Sequence, residues 1–165
     1  MSENRVLLEV QDLKQYFDIN TGFFRSKPLK AVDGFSFSIR KGETLGLVGE
    51  SGCGKTTVGR SILHLYKPTG GKVVYDGTEI ESKSSLREFR KKATMVFQDP
   101  YSSLNPRMTV TDIVAEPLDV HHLYKTKQER NERVLELLRY VGLNSEHASR
   151  YAHEFSGGRL IQVKN

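Results

Sequence analysis

Gly49-Glu50-Ser51-Gly52-Cys53-Gly54-Lys55-Thr56 places a glycine, four residues and then Gly-Lys-Thr between a short apolar run and a stretch of helical spacing. That order of strand, glycine loop and helix is what a phosphate-binding P-loop requires, and few folds accommodate it. Gly52 and Gly54 let backbone N–H groups turn inward around phosphate oxygens, while the new helix points its positive end at them. Lys55 is then expected to reach the β- and γ-phosphates of a nucleoside triphosphate. Thr56 is placed for its hydroxyl to ligate Mg²⁺, and Thr57 to add a phosphate contact from the first turn. Cys53 admits two readings: a thiol activated by the helix end and Lys55, or a small residue whose backbone alone matters. The second is preferred.

The flanking segments give an α/β chain. Thr44-Leu45-Gly46-Leu47-Val48 is a nearly continuous apolar run, expected to be a strand buried on both faces of a parallel sheet. Val58, Ile62 and Leu65 fall at helical spacing from Thr56 to about Tyr66, and Pro68 with Gly70-Gly71 ends that segment. Upstream, Val6 to Val10 and the alternating run Phe35 to Arg40 predict an antiparallel pair, and Asn20 to Lys30 between them reads as a surface loop with Phe23 and Phe24 packed back on the domain. Val73-Val74-Tyr75 with Asp76-Gly77 predicts a strand and hairpin turn, Leu86 to Lys92 a basic helix, and Thr94 to Phe97 a strand broken by Gln98-Asp99-Pro100. Further on, Thr111 is expected to cap a helix from Asp112, and Gln128 to Val141 carries Val134, Leu138 and Val141 on one face.

Composition narrows the function classes. A chain of 165 residues with 37% hydrophobic and 27% charged residues fits one soluble domain, and no apolar run approaches the ~18 residues of a membrane span. The formal charge of +5 is spread along the chain and interleaved with acids, so it marks no nucleic-acid surface. Cys53 is the only cysteine and the N-terminus lacks a secretory pattern, which points to a reducing cytoplasm.

Ala31-Val32-Asp33-Gly34, the loop from Gly49 to Thr57, the block Val96-Phe97-Gln98-Asp99-Pro100-Tyr101-Ser102-Ser103-Leu104-Asn105-Pro106 and Phe155-Ser156-Gly157-Gly158 together resemble ATP-binding subunits of ABC importers for di- and oligopeptides, with nickel and glutathione relatives. The resemblance runs from about Leu7 to Gly158. It implies a P-loop NTPase fold with an N-terminal antiparallel β subdomain and P-loop core over about 1–100 and a helical subdomain over about 101–158. Residues 159–165 form an atypical tail, and the C-terminal part of the core sheet is missing. By the same resemblance Gln98 touches Mg²⁺ and the attacking water, and Phe17 stacks on adenine, with Tyr16 the alternative. Ser156, Gly157 and Gly158 form a signature that meets the γ-phosphate on a second subunit. The implied cofactors are ATP and Mg²⁺. The implied partners are a second ATP-binding subunit, two transmembrane permease subunits and, indirectly, an extracytoplasmic solute-binding protein, all at the cytoplasmic face of the cell membrane.

The tail Arg159-Leu160-Ile161-Gln162-Val163-Lys164-Asn165 departs from that pattern, where the family continues with glutamine and a basic helix. No apolar strand ending Asp-Glu, D-loop or switch histidine follows Gly158, so a truncated, hydrolysis-deficient subunit with a marginal or partner-dependent fold is expected. Val73-Val74-Tyr75-Asp76 resembles the missing strand only superficially, being followed by Gly77. His121-His122 and His153 are read as solvated, since no acidic or cysteine cluster completes a ligand set. The competing reading is a stand-alone P-loop kinase or regulatory nucleotide-binding module.

Overall fold

The computed structural model describes residues 5–22, 25–99 and 103–155, and the chain divides into two units, Met1–Met95 and Val96–Asn165. In the first unit, strands β1 (Val6–Gly22) and β2 (Arg25–Arg40) form a long antiparallel hairpin. Two further strands, β3 (Gly70–Tyr75) and β4 (Thr78–Glu79), complete a sheet of order β2-β1-β3-β4. Asp76 and Gly77, both at positive φ (51° and 80°), make the two-residue turn between Tyr75 and its partner Thr78. This is the expected hairpin, with the backbone twist that a primed turn supplies.

Helices α1 (Lys55–Ile62) and α2 (Lys83–Arg90) supply Val58 and Phe89 to a core made with Val10, Leu13, Val32, Val73 and Ile80. Strict alternation would put Val10 and Leu13 on opposite faces, yet both are buried. A register shift lies between them in the β1–β2 pairing, and Asp12 sits there at φ 48°. The bulge turns Leu13 back into the core.

Several expectations are corrected. The hairpin runs through most of the span 20–30 read as a loop, with Asn20 paired to Ser26 and Asp18 to Pro28. Phe23 and Phe24 lie outside the described residues. Thr44 to Val48 is no strand, and Leu45, Leu47 and Val48 are 43%, 41% and 90% exposed. Thr94 to Phe97 is likewise not a strand. An apolar extended run becomes a strand only where a neighbour completes its hydrogen-bond ladder, and among the described residues none pairs with either segment. Helix α1 stops at Ile62, so Leu65 falls beyond it and is 51% exposed.

In the second unit, α3 (Val110–His121), α4 (Lys127–Tyr140) and the short α5 (Ser145–Ala148) surround a core of Val110, Ala115, Leu118, Val134, Leu138, Leu143 and Phe155. The α4 face is as expected: Val134 and Leu138 are buried and Val141 packs against the same cluster. The cap of α3 is Thr109, which accepts from the Asp112 N–H while Asp112 accepts from Thr109, a reciprocal capping box. Thr111, expected in that role, instead donates its hydroxyl to the Ala148 carbonyl at 2.8 Å. Arg130 of α4 grips Asp119 of α3 through two bonds of 2.7 and 2.8 Å. This pairing, with help from Tyr124, holds the Asp119 carboxyl down at about 2.

Candidate functional site: the phosphate loop

The loop is built where α1 begins. Gly54 caps that helix in the left-handed region, φ 95°, and its carbonyl accepts the first helical bond from Val58 N–H at 2.9 Å. A side chain at Gly54 would sit 2.5 Å from the Ala31 carbonyl of β2, so only glycine lets the loop seat against the strand. No side chain caps α1 and no acid stands in its first turn. Its leading N–H groups and positive dipole end are thus offered outward, as an anion site requires.

Lys55 folds over the loop. Its ammonium donates to the Gly49 and Glu50 carbonyls at 2.8 and 2.6 Å and lies 3.5 Å from Cys53 Sγ. These are neutral acceptors, and a triphosphate oxygen offers the same ammonium a charge-assisted bond instead. Cys53 is exposed and its sulfur packs on Gly49, where an added Cβ would lie 2.6 Å from Sγ. Ser51 and Thr56 are exposed and Thr57 is half-buried. The exposed Thr56 hydroxyl is a candidate oxygen ligand for a divalent cation.

A cleft of about 280 Å³ beside the loop is lined by Ala31, Val32, Asp33, Leu47, Cys53 and Lys55, among others. A wider cleft, about 500 Å³ between the β3–β4 hairpin and α2, contains none of the motif. The loop carries the chemistry, so volume does not decide the site. Asp33 is fixed by the Tyr16 hydroxyl and by Lys30 Nζ at 3.0 Å. Tyr16, then Lys30, draws its carboxyl below the ordinary range, while Asp33 raises both the Tyr16 phenol and the Lys30 ammonium. The two aromatic candidates thus differ. Tyr16 is tied to the cleft wall through Asp33, while Phe17 packs edge-on against Tyr66 with centroids 5.3 Å apart.

Gln98 is exposed and belongs to the second unit, in a segment without regular structure. Ser156, Gly157 and Gly158 lie outside the described residues. His122 and His153 are exposed, as expected, whereas His121 is half-buried with Nδ1 lacking a partner. Among the described residues no cluster of His, Cys, Asp and Glu could hold a metal, and no helix is long and apolar enough to cross a membrane. Sequence reading missed the buried pair Gln15 and Ser61, 4% and 0% exposed, in which the Ser61 hydroxyl of α1 donates to Gln15 Oε1 at 3.2 Å. No local pattern announces a contact between residues that far apart in the chain.

The family model described as ABC transporter matches residues 32–164. The chain belongs to the ABC transporter family. Among curated relatives of this ABC chain, the oligopeptide transport ATP-binding protein OppF of Bacillus subtilis is 60% identical over 160 residues, 95% of this chain and 51% of OppF. The dipeptide transport ATP-binding protein DppF of Lactococcus lactis is 52% identical over 167 residues, 99% of this chain and 52% of DppF. The chain thus spans about half the length of the curated relatives it matches. Among solved structures, the ATP-binding cassette MJ0796, in a dimeric post-hydrolysis state bound to ADP and Pi, superposes with a TM-score of 0.76 at 25% identity. That match covers 96% of this chain and 67% of the cassette. The fold is therefore a partial ABC ATPase domain, with its antiparallel sheet and its helical part both present.

Proposed function

We propose that this chain binds Mg-ATP through residues 49–57 as part of the ATP-binding subunit of a peptide importer. The observation that carries the reading is the Lys55 ammonium held over the loop by the Gly49 and Glu50 carbonyls, beside an α1 terminus that no side chain caps. A phosphate placed there gains the lysine charge and the helix N–H groups together. Thr56 would ligate the metal, Thr57 would add a phosphate contact, and Mg²⁺ would neutralise charge between the β- and γ-oxygens. Phe17 is assigned the adenine, Gln98 the water and metal, and Ser156, Gly157 and Gly158 the nucleotide of a second ATP-binding subunit.

The peptide class follows the names of the relatives, which are oligopeptide and dipeptide transport proteins. Two permease subunits, a solute-binding protein outside and a seat on the inner membrane face complete the proposal, together with a subdomain boundary near residue 100. These 165 residues are further proposed to hold nucleotide without turning it over, since Gln98, their one candidate for orienting water, is a poor base. Calorimetry of Mg-ATP against the parent chain and Lys55→Ala tests the core of this reading. Binding by the parent and its loss in the variant is the expected result, and equal affinity for the two would refute it.

A further inference from the structure

Contacts of several kinds lace residues 14–17 of β1 to α1 and to the turn that leaves it. The buried Ser61–Gln15 bond ties the last turn of α1 to the strand. Thr69 N–H donates to the Lys14 carbonyl at 2.9 Å, and the Thr69 hydroxyl accepts from Tyr16 N–H at 3.2 Å. Between these ties stands Tyr66. Its ring meets Phe17 at an interplanar angle of 85°, and its hydroxyl accepts from Arg60 Nη1 at 2.8 Å. Arg60 lies in the last turn of α1, its guanidinium 5.7 Å from the Tyr66 ring centroid.

The physical consequence concerns the tilt of Phe17. A phenylalanine ring turns about two side-chain torsions, the second of them broad, so a ring that must lie flat on a ligand benefits from a neighbour that fixes it. Edge-to-face contact supplies an orientation as well as an area, because the positive ring edge seeks the negative face. Tyr66 is suited to that task because Arg60 holds it at both ring and hydroxyl. The same helix that carries Arg60 in its last turn begins at the phosphate loop, so one rigid element would set the phosphate cradle and, through Tyr66, the ring of Phe17.

We infer that Tyr66, anchored by Arg60, is a positioning residue that orients Phe17 against the nucleotide base and so sets the base-dependent share of affinity. This rests on the assignment of Phe17 to adenine. The test compares Mg-ATP with Mg-tripolyphosphate, which has the phosphates and no base, in calorimetry on the full chain. Tyr66→Leu keeps apolar bulk and removes the ring; the expected result is a loss of about two- to tenfold for Mg-ATP with tripolyphosphate unchanged within about twofold. Tyr66→Phe retains the ring and its contact with the Arg60 guanidinium while losing the hydroxyl bond, and should restore most of the ratio of the two affinities. Equal losses for both ligands in Tyr66→Leu, or no loss for either, would overturn the inference. Phe17→Ala, measured alongside, separates the premises: an unchanged ratio there defeats the adenine assignment itself, whereas a changed ratio there with none in Tyr66→Leu defeats only the role of Tyr66.

Discussion

Gly54→Ala and Gly52→Ala are similar substitutions in one loop, and the structure gives them different outcomes. Both glycines have positive φ, 95° and 83°. An alanine in that region costs about 1–2 kcal/mol, and the two variants share this cost. At Gly52 nothing lies within 4 Å of the added Cβ. At Gly54 the Cβ would stand 2.5 Å from the Ala31 oxygen, 3.6 Å from its carbonyl carbon and 3.8 Å from Val32 Cγ2. β2 cannot easily give way, because Val32 beside Ala31 is buried in the core at 6% exposure. Overpacking of this kind adds about 1–3 kcal/mol, giving about 2–5 kcal/mol for Gly54→Ala against about 1–2 for Gly52→Ala. Urea unfolding of both variants reads the difference as a lower midpoint for Gly54→Ala. Mg-ATP calorimetry should show weaker binding as the loop lifts from the strand. Equal midpoints for the two variants would refute the claim that the Ala31 carbonyl is why glycine stands at 54.

Ser61→Ala should destabilise the first unit by about 1–3 kcal/mol, because it leaves the buried Gln15 Oε1 without its donor, and a denaturation midpoint unchanged from the parent would count against it. Asp119 has a folded pKa of about 2, below its ordinary 3.8, so its pairing with Arg130 stabilises fully above about pH 4 and that stability is lost as pH falls toward 2. Asp119→Asn should flatten this acid limb, as followed by helical circular dichroism across that window. Asp33→Asn should let the Tyr16 phenol, now raised by its bond to Asp33, titrate at lower pH, which ultraviolet difference titration would detect as an earlier phase for one tyrosine.

Features written in contiguous residues were readable before any coordinates. The glycine loop, the Asp76-Gly77 hairpin and the buried face of α4 each depend on spacing within one short segment. The misread segments depended on something else. Gly22 and Pro28 suggested a loop, but Pro28 stands on β2, an edge strand where a missing N–H need not break a ladder. The cap of α3 is Thr109 and not the expected Thr111, and the spacing of three residues from Thr109 to Asp112 is the sequence mark of that capping box. Thr44 to Val48 has the composition of a buried strand, and composition cannot supply the neighbour that makes it one.

The same distinction separates the parts of the candidate site. The phosphate cradle is one continuous stretch, so its residues arrive together whenever α1 forms, and its reading rests on local chemistry as much as on resemblance. The proposed base side is assembled from β1, β2 and the turn after α1, whose contacts join residues such as Gln15 and Ser61, Phe17 and Tyr66, or Tyr16 and Asp33. Those pairings follow from tertiary packing, and resemblance alone points to Phe17, with Tyr16 the alternative, as the base-stacking aromatic. Gln98 and the signature at 156–158 rest on resemblance still more heavily, the first lying in the other unit and the second outside the described residues. Mutations in the cradle therefore test physics visible in this chain, whereas those at Gln98 test a role that resemblance alone supplies. Loss of phosphate affinity in Lys55→Ala with retention in Gln98→Ala is the expected pattern, because Lys55 is held over the loop proposed to take the phosphates.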